Sequence, residues 1–138
     1  MKNNENTSHV QFDCARKERL GLPEAVFCEG KDTAIILSLL KEFNKETGKS
    51  ILFTRLAPEI FYSFPKNIQE SVSYHALSQT AFAFALSAHA AGKKVAIVSA
   101  GSADAKVAFE AGRTLEYLGI KHTIFEDCGV AGLWRIQK

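Results

Sequence analysis

The sequence predicts an α/β chain: a small N-terminal α/β module, then the first strand–helix–strand of a parallel sheet. Three observations carry this. Val95–Ala100 (VAIVSA) is a short apolar run with β-branched residues, the pattern of a strand covered on both faces. Ala105–Leu118 has Val107, Ala108, Ala111, Leu115 and Leu118 at i, i+3/i+4 spacing, with Lys106, Glu110, Arg113 and Glu116 on the other side. His122–Phe125 (HTIF) then supplies a second short strand. Strands joined through a helix in this way pair in parallel, and open α/β sheets bind ligands beyond the carboxyl ends of their strands.

At 138 residues there is chain for one domain or two small modules. With 46% hydrophobic and 23% charged residues the composition is globular, which argues against disorder and against a membrane-spanning protein. A net charge of +2 without a lysine run gives no ground for a nucleic-acid partner. Cys14, Cys28 and Cys128 are odd in number and form no CxxC, so they read as reduced thiols of a cytoplasmic protein, neither disulfides nor zinc ligands. Residues 1–11 (MKNNENTSHVQ) lack an apolar leader run and read as a disordered tail.

The first module, residues 12–92, is read in chain order. Asp13, Arg16 and Arg19 form one charged stripe if helical; read without other information they favour a solvated face, since exposed pairs contribute little. Gly21 would stop that helix, and Leu22-Pro23-Glu24 enters an extended segment because the residue before proline avoids the α region. Ala25–Cys28 reads as a strand. After the turn Glu29-Gly30-Lys31, Asp32 caps a helix expected over Thr33–Thr47 and closed by Gly48. Ser50–Thr54 is a second strand with Arg55 at its carboxyl end, where it is either an anion contact or a surface arginine. Ile60–Phe64 suits a short helix ended by Pro65, and Ser71–His75 a third strand. Ala76–Ala91 reads two ways. Thr80, Phe82, Phe84 and Leu86 alternate with alanines as in a strand, while alanine content and length suit a helix, which we favour for the second half. His75 and His89 lack a carboxylate at ligand spacing, so no metal site is expected there. Gly92-Lys93-Lys94 marks the boundary to the second module, residues 93–138.

Two loops of that second module carry candidate chemistry. In the first, Gly101 permits a sharp turn and close approach of a ligand, while Ser102 and Asp104 can cap the following helix. A helix start of this kind suits phosphate, although the same residues also suit a capped turn with no ligand. The second loop runs Cys128-Gly129-Val130-Ala131-Gly132 to Arg135. Gly119 between the two strands is placed to end the helix.

Two separated stretches point to one family. Asp13-x-x-Arg16-x-x-Arg19-x-Gly21-x-Pro23-Glu24, then Glu29-Gly30-Lys31 and Thr54-Arg55, resembles the N-terminal module of the nickel-pincer-cofactor carboxylases (LarB-like, pyridinium-3,5-biscarboxylic acid mononucleotide synthase). VAIVSAGSAD-x-x-VA and Cys128-Gly129-Val130-Ala131-Gly132-Leu133-x-Arg135 resemble the opening of that family's second module, itself similar to the flavodoxin-like, PurE-type aminoimidazole ribonucleotide carboxylase domain. The resemblance covers about residues 12–138.

It implies a cytoplasmic homo-oligomeric carboxylase with active sites between subunits. The implied substrate is a nucleotide, nicotinic acid adenine dinucleotide, carboxylated on its pyridinium ring with CO2 or bicarbonate as co-substrate. No tightly bound cofactor is implied, an assisting Mg2+ is allowed for, and neither nucleic acid nor membrane is a partner. Gly101, Ser102 and Asp104 would hold phosphate or ribose, Gly129–Gly132 would line the ring pocket, and Arg135 completes the pattern; no catalytic residue is assigned. Asp13, Arg16, Arg19, Glu24, Lys31 and Arg55 are the matching positions of the first module. The chain departs from the pattern at Trp134, where the family has histidine, the PurE-type proton carrier, and at Ala103, where it has serine. It also reaches Lys138 before the family's later cysteine nucleophile, which leaves open whether the chain is active alone. The alternative is a non-catalytic nucleotide-binding or regulatory module that retains the phosphate loop.

Overall fold

The structure, a computed structural model, describes residues 16, 19, 22–86, 94–135 and 137. It is mixed α/β, as the sequence predicts. Four strands, β1 (Ala25–Phe27), β2 (Leu52–Thr54), β3 (Ser73–His75) and β4 (Thr80–Phe82), form one sheet in the order β1-β2-β4-β3. β1 and β2 are parallel, with Ala25 opposite Leu52, and are joined through helix α1 (Thr33–Glu42). β4 runs antiparallel to both β2 and β3. Two short helices, α2 (Pro58–Ser63) and α3 (Lys66–Glu70), connect β2 to β3. β5 (Lys94–Val98), helix α4 (Ala105–Tyr117) and β6 (Lys121–Phe125) form the second unit, whose strands pair in parallel from Lys94–Lys121 to Val98–Phe125.

Asp32 caps α1 as its position suggests: its Oδ1 accepts from the Ala34 amide at 2.7 Å. The helix stops at Glu42, five residues before Thr47. Asn44 supplies the reason. Its buried amide donates to the carbonyls of Leu40 and Lys41, and its Oδ1 accepts from the amides of Glu46 and Thr47. An asparagine that satisfies both the last helical carbonyls and the following turn offers the backbone an alternative to another helical turn. Helix α3 was not expected; Pro65, at φ −55, both halts α2 and takes the N-cap position of α3.

Within Ala76–Ala91 the period of two prevails in the first half. Residues 76–79 turn, and Thr80–Phe82 form β4 with all three residues buried. Ala81 and Ala83 face a core of Val26, Ile36, Leu40, Phe53 and Leu56, while Phe82 faces the opposite side with Leu52. Small residues on one face admit the fully buried Phe53, so packing outweighs the helix propensity of alanine. The expected helix through Ala91, His89 and the Gly92-Lys93 part of the boundary lie outside the described residues.

Helix α4 is shared by the two sheets. Tyr117, 2% exposed, packs with Phe82 and Leu52 on the four-stranded sheet and donates its hydroxyl to the Ser50 carbonyl at 3.2 Å. On its other side Gly112 sits so close to β6 that a Cβ there would lie 2.9 Å from Ile124 Cδ1. The helix ends in a Schellman turn: Gly119, at φ 71, donates to Glu116 and Ile120 donates to Leu115. β5 and β6 were expected to be covered on both faces. Instead one face packs on α4, and the face bearing Val98 (65% exposed) and Phe125 (49%) meets no described element.

Candidate functional site

The parallel pairing of β5 and β6 brings both of their carboxyl-end loops to the start of α4. The ladder extends past the strands: Ser99 N–H donates to Phe125 O and Cys128 N–H donates to Ser99 O, both at 2.9 Å. The loops then touch. A Cβ on Gly129 would lie 2.7 Å from the Ala100 carbonyl oxygen, so the glycine is demanded by close approach of two backbones. The sequence singles out both loops; only the fold brings them into contact.

In the first loop Ser102–Asp104 forms a single 3-10 turn leading into α4. Asp104 does not cap the helix from outside, because its Oδ2 accepts from the Gly101 amide at 3.0 Å. The Asp104 amide in turn donates to the Gly101 carbonyl. Among the described residues the amides of Ser102 and Ala103 have no partner, and both residues are exposed. Two free amides thus stand at the positive end of a 13-residue helix, the donors that an anion seat would need. Gly101 sits at φ −142, extended backbone open to any residue, with open space where a Cβ would project. The turn itself therefore does not require glycine.

In the second loop Val130 is 85% exposed and Ala131 is exposed beside it. Arg135 lies in a short 3-10 turn, Leu133–Arg135, and its Nη1 donates to Asp127 Oδ1 at 2.9 Å. Asp127 holds φ 57, a left-handed conformation that aspartate tolerates better than most residues. Trp134 is 64% exposed, with the Arg135 guanidinium 5.2 Å from its ring centre. Cys128 is half-buried, with Sγ 3.6 Å from the Glu126 carbonyl. Cys28 differs: burial pushes its thiol up to about 12, so it stays protonated and inert near neutral pH.

The first module's motif residues are not gathered at these loops. Arg16 and Arg19 are helical and exposed, and Asp13 lies outside the described residues. Glu24 is half-buried before β1, and Lys31 is exposed in the turn after it. Arg55, held at φ 54, reaches α4: its Nε lies 3.2 Å from Glu110 Oε2. The two atoms form an ion pair without hydrogen-bond alignment, and each is buried. Sequence reasoning missed Glu110 as the partner of Arg55 and Asp127 as the partner of Arg135. It also passed over Ser99, whose buried hydroxyl has no hydrogen-bond partner. A serine among β-branched residues at a strand's carboxyl end was the available signal.

Among the described residues no group of three or more His, Cys, Asp or Glu side chains could hold a metal ion, and no helix is long and apolar enough to cross a membrane. The model of the LarB/PurE-like N-terminal domain matches residues 4–84. The chain is also 29% identical over 132 residues to uncharacterized protein MJ0165 of Methanocaldococcus jannaschii, an alignment covering 92% of this chain and 51% of that protein. The chain thus spans about half the length of the curated relative it matches. With the domain model covering more than half of its residues, the chain belongs to the LarB/PurE-like N-terminal domain family.

Proposed function

We propose that this chain binds a nucleotide at the joined β5 and β6 loops as part of a carboxylase of the LarB/PurE type. The finer reading is carboxylation of the pyridinium ring of nicotinic acid adenine dinucleotide, in nickel-pincer cofactor formation, with CO2 or bicarbonate as second substrate. The observation that carries it is the contact of Gly129 with Ala100 beside the free amides of Ser102 and Ala103. A phosphate on those amides would be held by hydrogen bonds and by the helix dipole. The Gly129–Gly132 backbone would then face the ring attached to it, with Arg135 held in place by Asp127. No described side chain is assigned to the carbon or proton transfer. Cytoplasmic location and a homo-oligomer with sites between subunits belong to the same reading.

A second reading, nucleotide binding without catalysis, is favoured by Trp134. An exposed indole cannot carry a proton as histidine would. Calorimetric titration with nicotinic acid adenine dinucleotide, with a sizing run and labelled bicarbonate, tests both. Saturable binding with label transfer to the ring supports the carboxylase. Binding without transfer supports the second reading, and no binding refutes both.

A further inference from the structure

Beside the anion seat lies a cavity of about 310 Å³ between β5 and the first two turns of α4, lined by Ile97, Val98, Ser99, Asp104, Val107 and Ala111 among others. Its walls are aliphatic, and it holds one hydroxyl and one carboxylate. Ser99 is 8% exposed, and its Oγ has no hydrogen-bond partner. A buried hydroxyl left unpaired loses its bonds to water without replacement, so it is either a cost of the fold or a contact awaiting a ligand. Asp104 spends one oxygen on Gly101 and keeps the other for an incoming donor. From Asp104 to Ala111 the cavity follows α4 for about 10 Å at 1.5 Å per residue. That is close to the reach of a nucleoside monophosphate from phosphate to base. The volume is at the low end for ligand pockets, room for one flat ring system and little more.

We propose that this cavity binds the uncharged, non-reacting ring of the nucleotide, an aminated heterocycle such as a purine, with Ser99 reading its polar edge. The inference rests on the nucleotide reading above and extends it. Aliphatic walls of Ile97, Val107 and Ala111 take the ring faces, the Ser99 hydroxyl donates to or accepts from a ring nitrogen, and the free Asp104 oxygen accepts an exocyclic N–H. The phosphate stays on the amides of Ser102 and Ala103, so one ligand spans both parts of the site. Ser99 acts in binding and specificity, not in chemistry.

The test compares AMP with ribose 5-phosphate, which keeps the phosphate and lacks the ring, by calorimetry on the full chain. AMP is expected to bind at least tenfold more tightly. Ser99→Ala should weaken AMP about fivefold, the worth of one net hydrogen bond, and leave ribose 5-phosphate unchanged. Ala111→Leu, at an exposed helical position where leucine suits the helix, should fill the cavity and weaken AMP more than tenfold with the same indifference to ribose 5-phosphate. Circular dichroism confirms that both variants fold. If AMP and ribose 5-phosphate bind alike, or both variants bind AMP as the parent does, the ring cavity is refuted while the phosphate seat stands. If the parent binds neither ligand, the nucleotide reading falls and this inference with it.

Discussion

Arg113 fastens α4, whose N-terminal end adjoins the proposed anion seat, to the four-stranded sheet, and its replacement should loosen the whole second unit. Its side chain is only 11% exposed. Nη2 donates to the Ser73 carbonyl at 2.8 Å and to Ser73 Oγ at 3.0 Å, and Nε donates to Thr80 Oγ1 at 3.4 Å. The guanidinium carbon lies 4.1 Å from the centre of the Phe82 ring, while Nη1 pairs with the half-exposed Glu116 at 2.8 Å. Hydrogen bonds from a charged donor contribute about 1.5–3 kcal/mol each. A partly desolvated cation–π contact adds about 1–2 kcal/mol, and the Glu116 pair no more than about 0.5 kcal/mol. Against these stands the desolvation of the guanidinium, several kcal/mol, which removal of the charge relieves. The net expectation for Arg113→Met is a loss of about 2–4 kcal/mol. Arg113→Lys should cost about 1–2 kcal/mol, because an ammonium keeps the charge but cannot fork between Ser73 and Thr80. Urea denaturation followed by far-UV circular dichroism measures both, and a double-mutant cycle with Ser73→Ala should show a coupling of about 1 kcal/mol. An Arg113→Met midpoint within about 0.5 kcal/mol of the parent would refute the reasoning.

Two site glycines should part company. Gly101→Ala is expected to change stability by less than about 0.5 kcal/mol, since its φ of −142 suits any residue and nothing crowds its Cβ. Gly129→Ala should cost about 1–3 kcal/mol, because its Cβ meets the backbone oxygen of Ala100, which cannot rotate away. Equal unfolding midpoints for the two variants would refute the claim that close approach joins the loops. Stability should also fall in alkali. Burial raises Cys28 from 9.0 to about 12 and Tyr117 from 10.0 to about 12. The fold keeps both neutral, so their stabilisation is complete below about pH 9 and is lost as pH rises towards 12, at about 1.4 kcal/mol per pH unit for each group above its unfolded value. Between pH 9 and 10 Cys28 acts before Tyr117, and Cys28→Ala should flatten the curve there; a parent whose urea midpoint does not move from pH 9 to 11 would refute this assignment.

What the chain itself settled was local. The 3.6-residue spacing of Ala105–Leu118, the β-branched runs on either side and the glycine at 119 predict β5, α4 and β6 to within a residue or two, because each signal acts within one element. Asp32 marked the start of α1 for the same reason, but its end depended on how Asn44 folds back on Leu40 and Lys41. The order of Gly101, Ser102, Asp104 and Gly129–Gly132 likewise singled out two loops that the fold brings into contact. Tertiary structure decided the rest. Thr80–Phe82 became a strand because the sheet had one face for Ala81 and another for Phe82, a choice that alanine propensity alone resolves the other way. Arg55 turned to Glu110, Arg135 to Asp127 and Arg113 to Ser73, partners 55, 8 and 40 positions away. Charges on a sequence have no address until packing brings two of them together. The same holds for Ser99: a serine in an apolar run becomes a candidate ligand contact only when α4 closes over it and leaves its hydroxyl buried without a partner.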